Sequence, residues 1–123
     1  MENPIHASTT TLAQMQMWLD QFAAQRDWEK FHTPKNLAMS IAIEAAEIME
    51  LVQWQNGSEP IENSANDSPM AEEIADVLSY LLRLATVLRI DPAQALALKI
   101  KKNAIKYPAL EPHPAEQPRA TEQ

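Results

Sequence analysis

The chain has 123 residues, a formal net charge of −7, nine prolines against one glycine, and no cysteine. This length corresponds to one domain, and the negative charge disfavours non-specific binding to nucleic acids or to anionic membranes. The lack of cysteine excludes disulfides and thiolate chemistry and fits a reducing, cytoplasmic location, and neither an apolar membrane span nor a secretory signal peptide is indicated.

Four α-helices are predicted, and each begins at a recognisable capping residue. Apolar residues recur at helical spacing after Thr11, which could form a capping box with Gln14, so the first helix covers about residues 10–25. The other three starts pair a capping side chain with proline, which is favoured at the first helical position: Thr33-Pro34, Ser68-Pro69 and Asp91-Pro92. These starts predict helices over about residues 34–55, 69–89 and 92–106.

Together the four helices predict an all-α, four-helix bundle-like fold, with a single helical domain over residues 1–108. The turn-rich and acidic residues 56–68 should form a loop between the second and third helices. The last 16 residues contain four of the prolines, so residues 109–123 are expected to be a disordered tail.

Residues 26–32, which connect the first two helices, mix charged and aromatic side chains. Trp28 and Phe31 could either close the core beneath this connection or face a ligand, and the residues themselves leave both interpretations open. A lone histidine such as His32 is more often structural than catalytic.

The second and third predicted helices each carry a carboxylate pair spaced three residues apart, Glu44 with Glu47 and Glu73 with Asp76. Such pairs lie one turn apart on one face of a helix, where the two charges repel and raise each other's pKa. Residues 36–82 contain nine acidic side chains and no lysine or arginine, so this stretch cannot neutralise them. Because a short loop joins the two helices, they should be antiparallel neighbours, and the four carboxylates could converge.

The third predicted helix separates its apolar and polar residues clearly. Its apolar face consists of Ile74, Val77, Leu78, Leu81, Leu82, Ala85 and Leu88. Its polar stripe, which repeats at spacings of 3, 4 and 3 residues, consists of Glu73, Asp76, Tyr80 and Arg83.

A solvated acidic face is the simplest interpretation of either carboxylate pair alone. Four convergent carboxylates would instead form an oxygen-only site suited to Mg²⁺, with Mn²⁺ also acceptable. A di-iron bundle would need Glu-x-x-His pairs, and the three histidines all fall outside the predicted helix interiors: His6, His32 and His113. An EF-hand is excluded as well, because no loop carries its alternating aspartates.

The fourth predicted helix and the residues before it have the opposite charge. Residues 83–107 contain a single acid, Asp91, against six basic side chains: Arg83, Arg89, Lys99, Lys101, Lys102 and Lys106. A carboxylate-bound Mg²⁺ usually shares its site with substrate phosphates, for which these residues could supply counter-charge. A solvated basic face near a helix C-terminus would explain the same residues. Carboxylates that could bind a metal ion, together with basic side chains that could bind phosphates, indicate phosphoryl or nucleotidyl chemistry.

The same residues resemble the MazG-like all-α nucleoside triphosphate pyrophosphohydrolases, whose signature is Glu-x-x-Glu followed on the next helix by Glu-x-x-Asp. The signature residues here are Glu44, Glu47, Glu73 and Asp76. The chain is most similar to the dCTP pyrophosphatase branch, through the segments Arg26 to Leu37, Gln53-Trp54, Glu72 to Leu81 and Lys99 to Pro108. The resemblance covers roughly residues 12–108.

This resemblance implies hydrolysis of a (deoxy)nucleoside triphosphate, dCTP or a related dNTP, to the monophosphate and pyrophosphate, as nucleotide-pool house-cleaning. It implies that the four signature acids bind Mg²⁺, with Glu47 suggested as the general base and Glu50 as a reserve ligand. It also implies residues around the base and sugar, and others that hold the phosphates: Trp28, His32, Trp54 and Tyr80 for the former, and Lys99, Lys102, Asn103 and Tyr107 for the latter.

The length of the second predicted helix bears on oligomeric state. Trp54 lies roughly 30 Å from the start of this helix, whereas Trp28 and His32 precede that start. Either only one end lines the base pocket, or two subunits share it. Members of the resembled family form dimers or tetramers, so a homodimer or homotetramer with shared active sites is expected. The competing hypothesis is a non-catalytic helical interaction module whose acids form a solvated or partner-binding face.

Overall fold

The computed structural model describes residues 5–6, 8–61 and 64–110. Within these ranges there is no β-strand, and the chain forms a 3₁₀ turn at Glu29–Phe31 and four α-helices: α1 (Leu12–Gln25), α2 (Pro34–Val52), α3 (Pro69–Val87) and α4 (Pro92–Lys106). The predicted all-α class is confirmed. None of these helices is long and apolar enough to cross a membrane. The predicted tail lies outside the described residues from position 111 onward, and its disorder stays a prediction.

The helix starts follow the capping residues in the sequence. α2, α3 and α4 begin at the predicted prolines, and the hydroxyls of Thr33 and Ser68 accept hydrogen bonds from backbone N–H groups in the first turns of α2 and α3. α1 begins at Leu12, where Thr11 and Gln14 make both bonds of the capping box, at 3.2 and 2.7 Å. These starts are set by local side-chain chemistry.

The ends of α2 and α3 come two to three residues earlier than predicted, at Val52 and Val87. After α3, the N–H of Ile90 donates to the carbonyl of Ala85 at 2.8 Å, and Arg89 has a φ of 56°. This is the hydrogen-bond pattern of a Schellman motif, in which glycine is the usual left-handed residue. Arg89 takes that position here, so no glycine in the sequence marks the end of the helix.

α3 is the central helix of the first three, because both α1 and α2 pack against it. Gln16, early in α1, donates a 3.0 Å hydrogen bond to Thr86 near the end of α3, so these two helices run antiparallel. Ser40 in the first half of α2 borders the same groove as Tyr80, and Leu51 at its end lies with the start of α3. The predicted antiparallel arrangement of α2 and α3 is therefore observed.

Few side chains are buried among the described residues. The apolar ones are Ala23, Leu37 and Leu82, and the polar ones are Ser68 and Arg83. Four residues of the predicted apolar face of α3 keep between 41% and 54% of their surface exposed: Ile74, Leu78, Leu81 and Leu88. The single chain thus leaves much of this face exposed, and α3 turns Tyr80 and Arg83 of its polar stripe towards α1 and the connection that follows it.

By internal contacts the chain divides into two units, one ending at Pro92 and the other beginning at Ala93. α4 is the helix of the second unit, and none of its residues is buried. Its lysines are exposed together with large apolar side chains: Leu96, Leu98, Ile100 and Ile105. The single domain expected over residues 1–108 stays a prediction.

Candidate functional site

Three glutamates of α2 and α3 converge into a group that we call the acidic cluster: Glu44, Glu47 and Glu73. One carboxylate oxygen of each lies within 4.8 Å of those of the other two, and all three side chains are half-buried. Oε2 of Glu44 and Oε2 of Glu73 are buried and have no hydrogen-bond partner among the described residues. Buried carboxylate oxygens are costly without a hydrogen-bond or charged partner. A positive group bound among the three glutamates would therefore stabilise the cluster.

The repulsion inside the cluster changes how its acids titrate. The neighbouring carboxyl group of Glu47 raises the pKa of Glu73 to about 7, and burial and Glu44 act in the same direction. Burial raises the pKa of Glu44; the carboxyl group of Glu73 opposes this rise, and Glu47 adds to it. Without a cation, the acidic cluster therefore retains a proton close to neutral pH.

The donor atoms of the acidic cluster fit a divalent metal ion. All of them are carboxylate oxygens, the ligands that hard cations such as Mg²⁺ and Mn²⁺ prefer. A cation held there would supply a partner to the two buried oxygens and would remove the repulsion that raises the pKa of Glu73. The cluster could thus hold a metal through Glu44, Glu47 and Glu73.

Asp76, the fourth predicted carboxylate, lies one turn after Glu73 on α3 but outside the acidic cluster. Its side chain is exposed and lines the cavity described next. Its charge still acts on the cluster, since it contributes to the raised pKa of Glu44. The structure brings three of the four predicted ligands together and leaves Asp76 near both the cluster and the cavity.

A cavity of about 690 Å³, which we call the aromatic cavity, is formed by α1, α3 and the connection between α1 and α2. Its lining includes Trp18, Phe22, Trp28, His32, Asp76 and Tyr80. Aromatic walls with a few polar groups and a volume of this size are typical of small-molecule sites. Because Asp76 belongs to its wall, the cavity opens next to the acidic cluster.

Trp28 reaches the aromatic cavity because of the way in which α1 ends. The N–H of Trp28 donates to the carbonyl of Ala23 at 3.0 Å, and that of Asp27, which has a φ of 55°, donates to Ala24 at 3.2 Å. This Schellman motif turns the chain so that the Trp28 ring packs edge-on against Phe22, with centroids 5.7 Å apart. Trp28 remains 43% exposed, so it lines the cavity instead of closing a core.

His32 is held by a partly buried polar network. Its Nδ1 accepts a 3.1 Å hydrogen bond from Nε of Arg83, and Nη1 of Arg83 pairs with the carboxylate of Asp20 on α1. Burial lowers the pKa of His32, the charge of Arg83 lowers it further, and Glu29 opposes the shift. The imidazole is therefore neutral at physiological pH and accepts the hydrogen bond from Arg83.

Arg83 and Asp20 are absent from the site residues that the sequence predicts. The spacing of polar residues places Arg83 on the stripe of α3, but it assigns no role to this side chain. Asp20 lies 63 residues earlier in the chain, among the polar residues of an amphipathic helix, and nothing in the local pattern distinguishes it. One signal could have indicated this pair. An arginine on a helix face that packs against other helices becomes buried and then needs an acidic partner, which here would have to come from another helix.

The other predicted substrate-binding residues are all exposed. Trp54 follows the end of α2 and is 90% exposed. The residues predicted to hold phosphates are also exposed, on α4 or directly after it: Lys99, Lys102, Asn103 and Tyr107. Their predicted roles stay predictions.

The sequence matches one protein-family model and several curated proteins. The MazG-like family model matches residues 39–118. Bovine dCTP pyrophosphatase 1 is 38% identical over 105 residues, which cover 83% of this chain and 62% of the bovine protein. The human protein of the same name is 41% identical over 92 residues, which cover 72% of this chain and 54% of the human protein. The chain thus spans little more than half the length of these curated relatives.

Among solved structures, a pyrophosphatase from Archaeoglobus fulgidus DSM 4304 is similar, with a TM-score of 0.74 at 43% sequence identity. The superposition covers 85% of this chain and 99% of the archaeal chain, so nearly all of that protein has a counterpart here. The family match includes both carboxylate pairs and extends over more than half of the sequence. This chain therefore belongs to the MazG-like family.

Proposed function

We propose that this chain hydrolyses (deoxy)nucleoside triphosphates to the nucleoside monophosphate and pyrophosphate. The proposed substrate is dCTP or a related dNTP, and the proposed role is house-cleaning of the nucleotide pool. Both curated relatives described above are named dCTP pyrophosphatase 1, and the similar archaeal structure is a pyrophosphatase. The observation that carries the proposal is the acidic cluster, with two unpartnered buried oxygens, beside a cavity with aromatic walls.

Mg²⁺ is the proposed metal, held by Glu44, Glu47 and Glu73, with Asp76 as a fourth ligand. The support is an oxygen-only donor set with no nitrogen or sulfur ligand, which suits Mg²⁺ better than softer metals. When bound, the ion would neutralise charge that develops on the phosphates and make water a better nucleophile.

Glu47 is the proposed general base. Glu44 and Glu73 each contribute a buried oxygen without a partner, which suits permanent ligands. Glu47 has no such oxygen, so one of its carboxylate oxygens is better able to accept the proton of the attacking water. Glu50, one turn further along α2 and exposed, is the reserve ligand.

The aromatic cavity is the proposed site for the base and sugar, with Trp28, His32 and Tyr80 in its wall. Stacking on aromatic faces contributes about 1–3 kcal/mol per base and is tolerant of base identity. Lys99, Lys102, Asn103 and Tyr107 are proposed to bind phosphates, on the grounds of their charge or polarity and their exposure.

We further propose that the active enzyme is a homodimer or homotetramer whose subunits share the substrate site. Only three apolar side chains are buried among the described residues of a single chain, whereas Trp54 and many large apolar residues of α2 and α3 are exposed. An exposed apolar surface of this extent is typical of an interface between subunits. Sedimentation at micromolar concentration should reveal a stable oligomer, and a fully active monomer would contradict shared sites.

The proposed activity is tested with a panel of the common dNTPs and NTPs, each with Mg²⁺ or with EDTA. Pyrophosphate and orthophosphate are measured separately, because only cleavage between the α- and β-phosphates releases pyrophosphate directly. We expect Mg²⁺-dependent pyrophosphate release that is fastest for dCTP or a close relative. A folded protein that releases no pyrophosphate from any of these nucleotides would favour the alternative, a non-catalytic acidic interaction module.

A further inference from the structure

Arg83 and Asp20 form a charged pair at the wall of the aromatic cavity for which the proposed function has no use. Arg83 is only 6% exposed, although an arginine is rarely buried to this extent without a purpose or a partner. Its guanidinium reaches across the packed helices to Asp20 on α1, and its Nε–H points to His32. The pair therefore connects two elements that line the cavity.

The bond from Arg83 determines where His32 carries its proton. A guanidinium is always protonated and can only donate, so Nδ1 of His32 must be the acceptor and must lack hydrogen. A neutral imidazole has one N–H group, which is then at Nε2. Arg83 cannot turn away easily, because burial and the ion pair with Asp20 hold its side chain.

Nε2 lies on the opposite edge of the ring from Nδ1, away from Arg83. We find no hydrogen bond from Nε2 to any residue in the ranges that the structure describes, although His32 contributes to the walls of both the aromatic cavity and the groove beside it. The imidazole lies 6.2 Å from the ring of Trp28, centroid to centroid. An N–H donor without a partner is thus available beside the aromatic faces.

We propose that Arg83, anchored by Asp20, is a positioning residue that fixes His32 as an Nε2–H donor to the nucleobase in the aromatic cavity. This assignment rests on the proposed nucleotide binding and deepens it. A fixed donor selects bases that present an acceptor to it, such as the ring N3 or the carbonyl O2 of cytosine. Stacking supplies affinity with little choice of base, so a fixed donor adds the discrimination that stacking lacks.

The tautomer is measured directly on the full chain without substrate. Two-bond ¹H–¹⁵N correlation spectra distinguish a neutral imidazole protonated at Nε2 from one protonated at Nδ1. We expect His32 of the unmodified protein to be protonated at Nε2 only. In Arg83→Met the two neutral tautomers should mix, because the donor to Nδ1 is gone. Protonation at Nδ1 in the unmodified protein, or an unchanged tautomer in Arg83→Met, would overturn the proposal.

The control is Lys35→Met, which removes a positive charge from an exposed position in the first turn of α2 and should leave the tautomer unchanged. Should Arg83→Met fail to fold, as judged by its helical circular dichroism, the double variant Asp20→Ala/Arg83→Met serves in its place. It removes both charges of the pair, so neither charge is left unpaired, and it removes the donor to Nδ1 of His32, so it should also mix the tautomers. A retained Nε2–H tautomer in the double variant would count against the proposal in the same way.

Binding of dCMP, the product of the proposed reaction, tests the ligand half of the inference without needing catalysis. Loss of one oriented hydrogen bond should raise the dissociation constant of dCMP about three- to tenfold in Arg83→Met, and Lys35→Met should match the unmodified protein. Equal dCMP affinity in both variants would refute the role of Arg83. Tight dCMP binding without hydrolysis would instead contradict the proposed activity and leave the positioning role intact.

Discussion

The two ends of the polar stripe of α3 differ in whether their charged groups have partners. At its start, Glu73 lies beside Glu44 and Glu47 of α2. The buried Oε2 atoms of Glu44 and Glu73 have no hydrogen-bond partner among the described residues, and residues 36–82 include no lysine or arginine. At its end, Arg83 is more deeply buried, but Asp20 balances its charge and His32 accepts one of its hydrogen bonds.

This difference suits the two ends of the stripe to different roles. A charged group that lacks its partner is stabilised only when something from outside supplies the opposite charge, so the start of the stripe is suited to binding an ion. A charged group whose partners are already present has a fixed geometry, so the end of the stripe is suited to orienting another side chain. Four experiments can break or sharpen this comparison, and they follow in order of expected effect.

The largest effect is expected from Glu47→Gln, which keeps the shape of the side chain but removes its charge and its ability to accept a proton. Mg²⁺-dependent pyrophosphate release should fall by about 10²- to 10⁴-fold, the usual contribution of a general base. Glu72→Gln is the matched control, because Glu72 is exposed on α3 directly before Glu73 and lies outside the acidic cluster. Comparable losses in both variants would show that the cluster has no special role.

Mg²⁺ should stabilise the folded protein through the acidic cluster. At a concentration 100 times its dissociation constant, a ligand that binds only the folded state raises the free energy of unfolding by about 2.7 kcal/mol. This gain, measured by urea denaturation at fixed protein concentration, should disappear in Glu73→Gln and persist in Glu72→Gln. An equal gain in Glu73→Gln would place the ion elsewhere.

The stability of the metal-free protein should depend on pH through Glu73. Its folded pKa of about 7 lies above its ordinary value of 4.5, so the folded state binds the proton more tightly than the unfolded state. The resulting stabilisation is fully present below pH 4.5 and is lost as the pH rises through 7. In EDTA, the free energy of unfolding of the unmodified protein, relative to Glu73→Gln, should therefore decrease across this window.

Mg²⁺ competes with the proton for the same oxygens, so saturating Mg²⁺ should weaken or reverse this pH trend. In EDTA, the free energy of unfolding of Glu72→Gln, relative to Glu73→Gln, should decrease across the same pH window as that of the unmodified protein. A flat difference across the window would show that the acids of the cluster are not coupled in solution.

The last experiment compares two ion pairs and includes the smallest expected effect. Asp20→Ala leaves the buried Arg83 without its counter-ion; because Asp20 is 40% exposed to water, the cost should fall well below the ~3–5 kcal/mol of a fully buried pair. Lys30→Met breaks the exposed pair with Asp27 and should change the free energy of unfolding by less than about 1 kcal/mol. Equal costs, measured by urea denaturation, would mean that burial gives the pair with Arg83 no special weight.

Local signals predicted the helix starts but not all of the helix ends. Thr11, Thr33 and Ser68 cap their helices as expected, because a cap depends only on neighbours within one turn. The ends of α1 and α3 use Asp27 and Arg89 in left-handed conformations. Neither residue type marks this conformation in a sequence as glycine does, so the end of α3 and the placement of Trp28 could not be read from local patterns.

The candidate site was predictable to the extent that it is local. The spacing of Glu44 and Glu47 guarantees a shared face, and the absence of nearby lysine or arginine is visible without a structure. Whether Asp76 joins the acidic cluster depends on the angle at which two helices pack, and the structure leaves it outside. Hydrophobic periodicity identified the apolar face of α3 but not what covers it, and much of this face is exposed in the single chain.

Sequence alone therefore determined the all-α class, the starts of the helices and the spacing of the carboxylate pairs in a stretch without lysine or arginine, since each follows from interactions over a few residues or from composition. Only the tertiary structure decided that α3 lies between α1 and α2 and that Arg83 finds Asp20, a partner 63 residues away. Such pairings depend on how helices pack as rigid bodies. Many residues could satisfy the same local pattern, and the packing selects one of them.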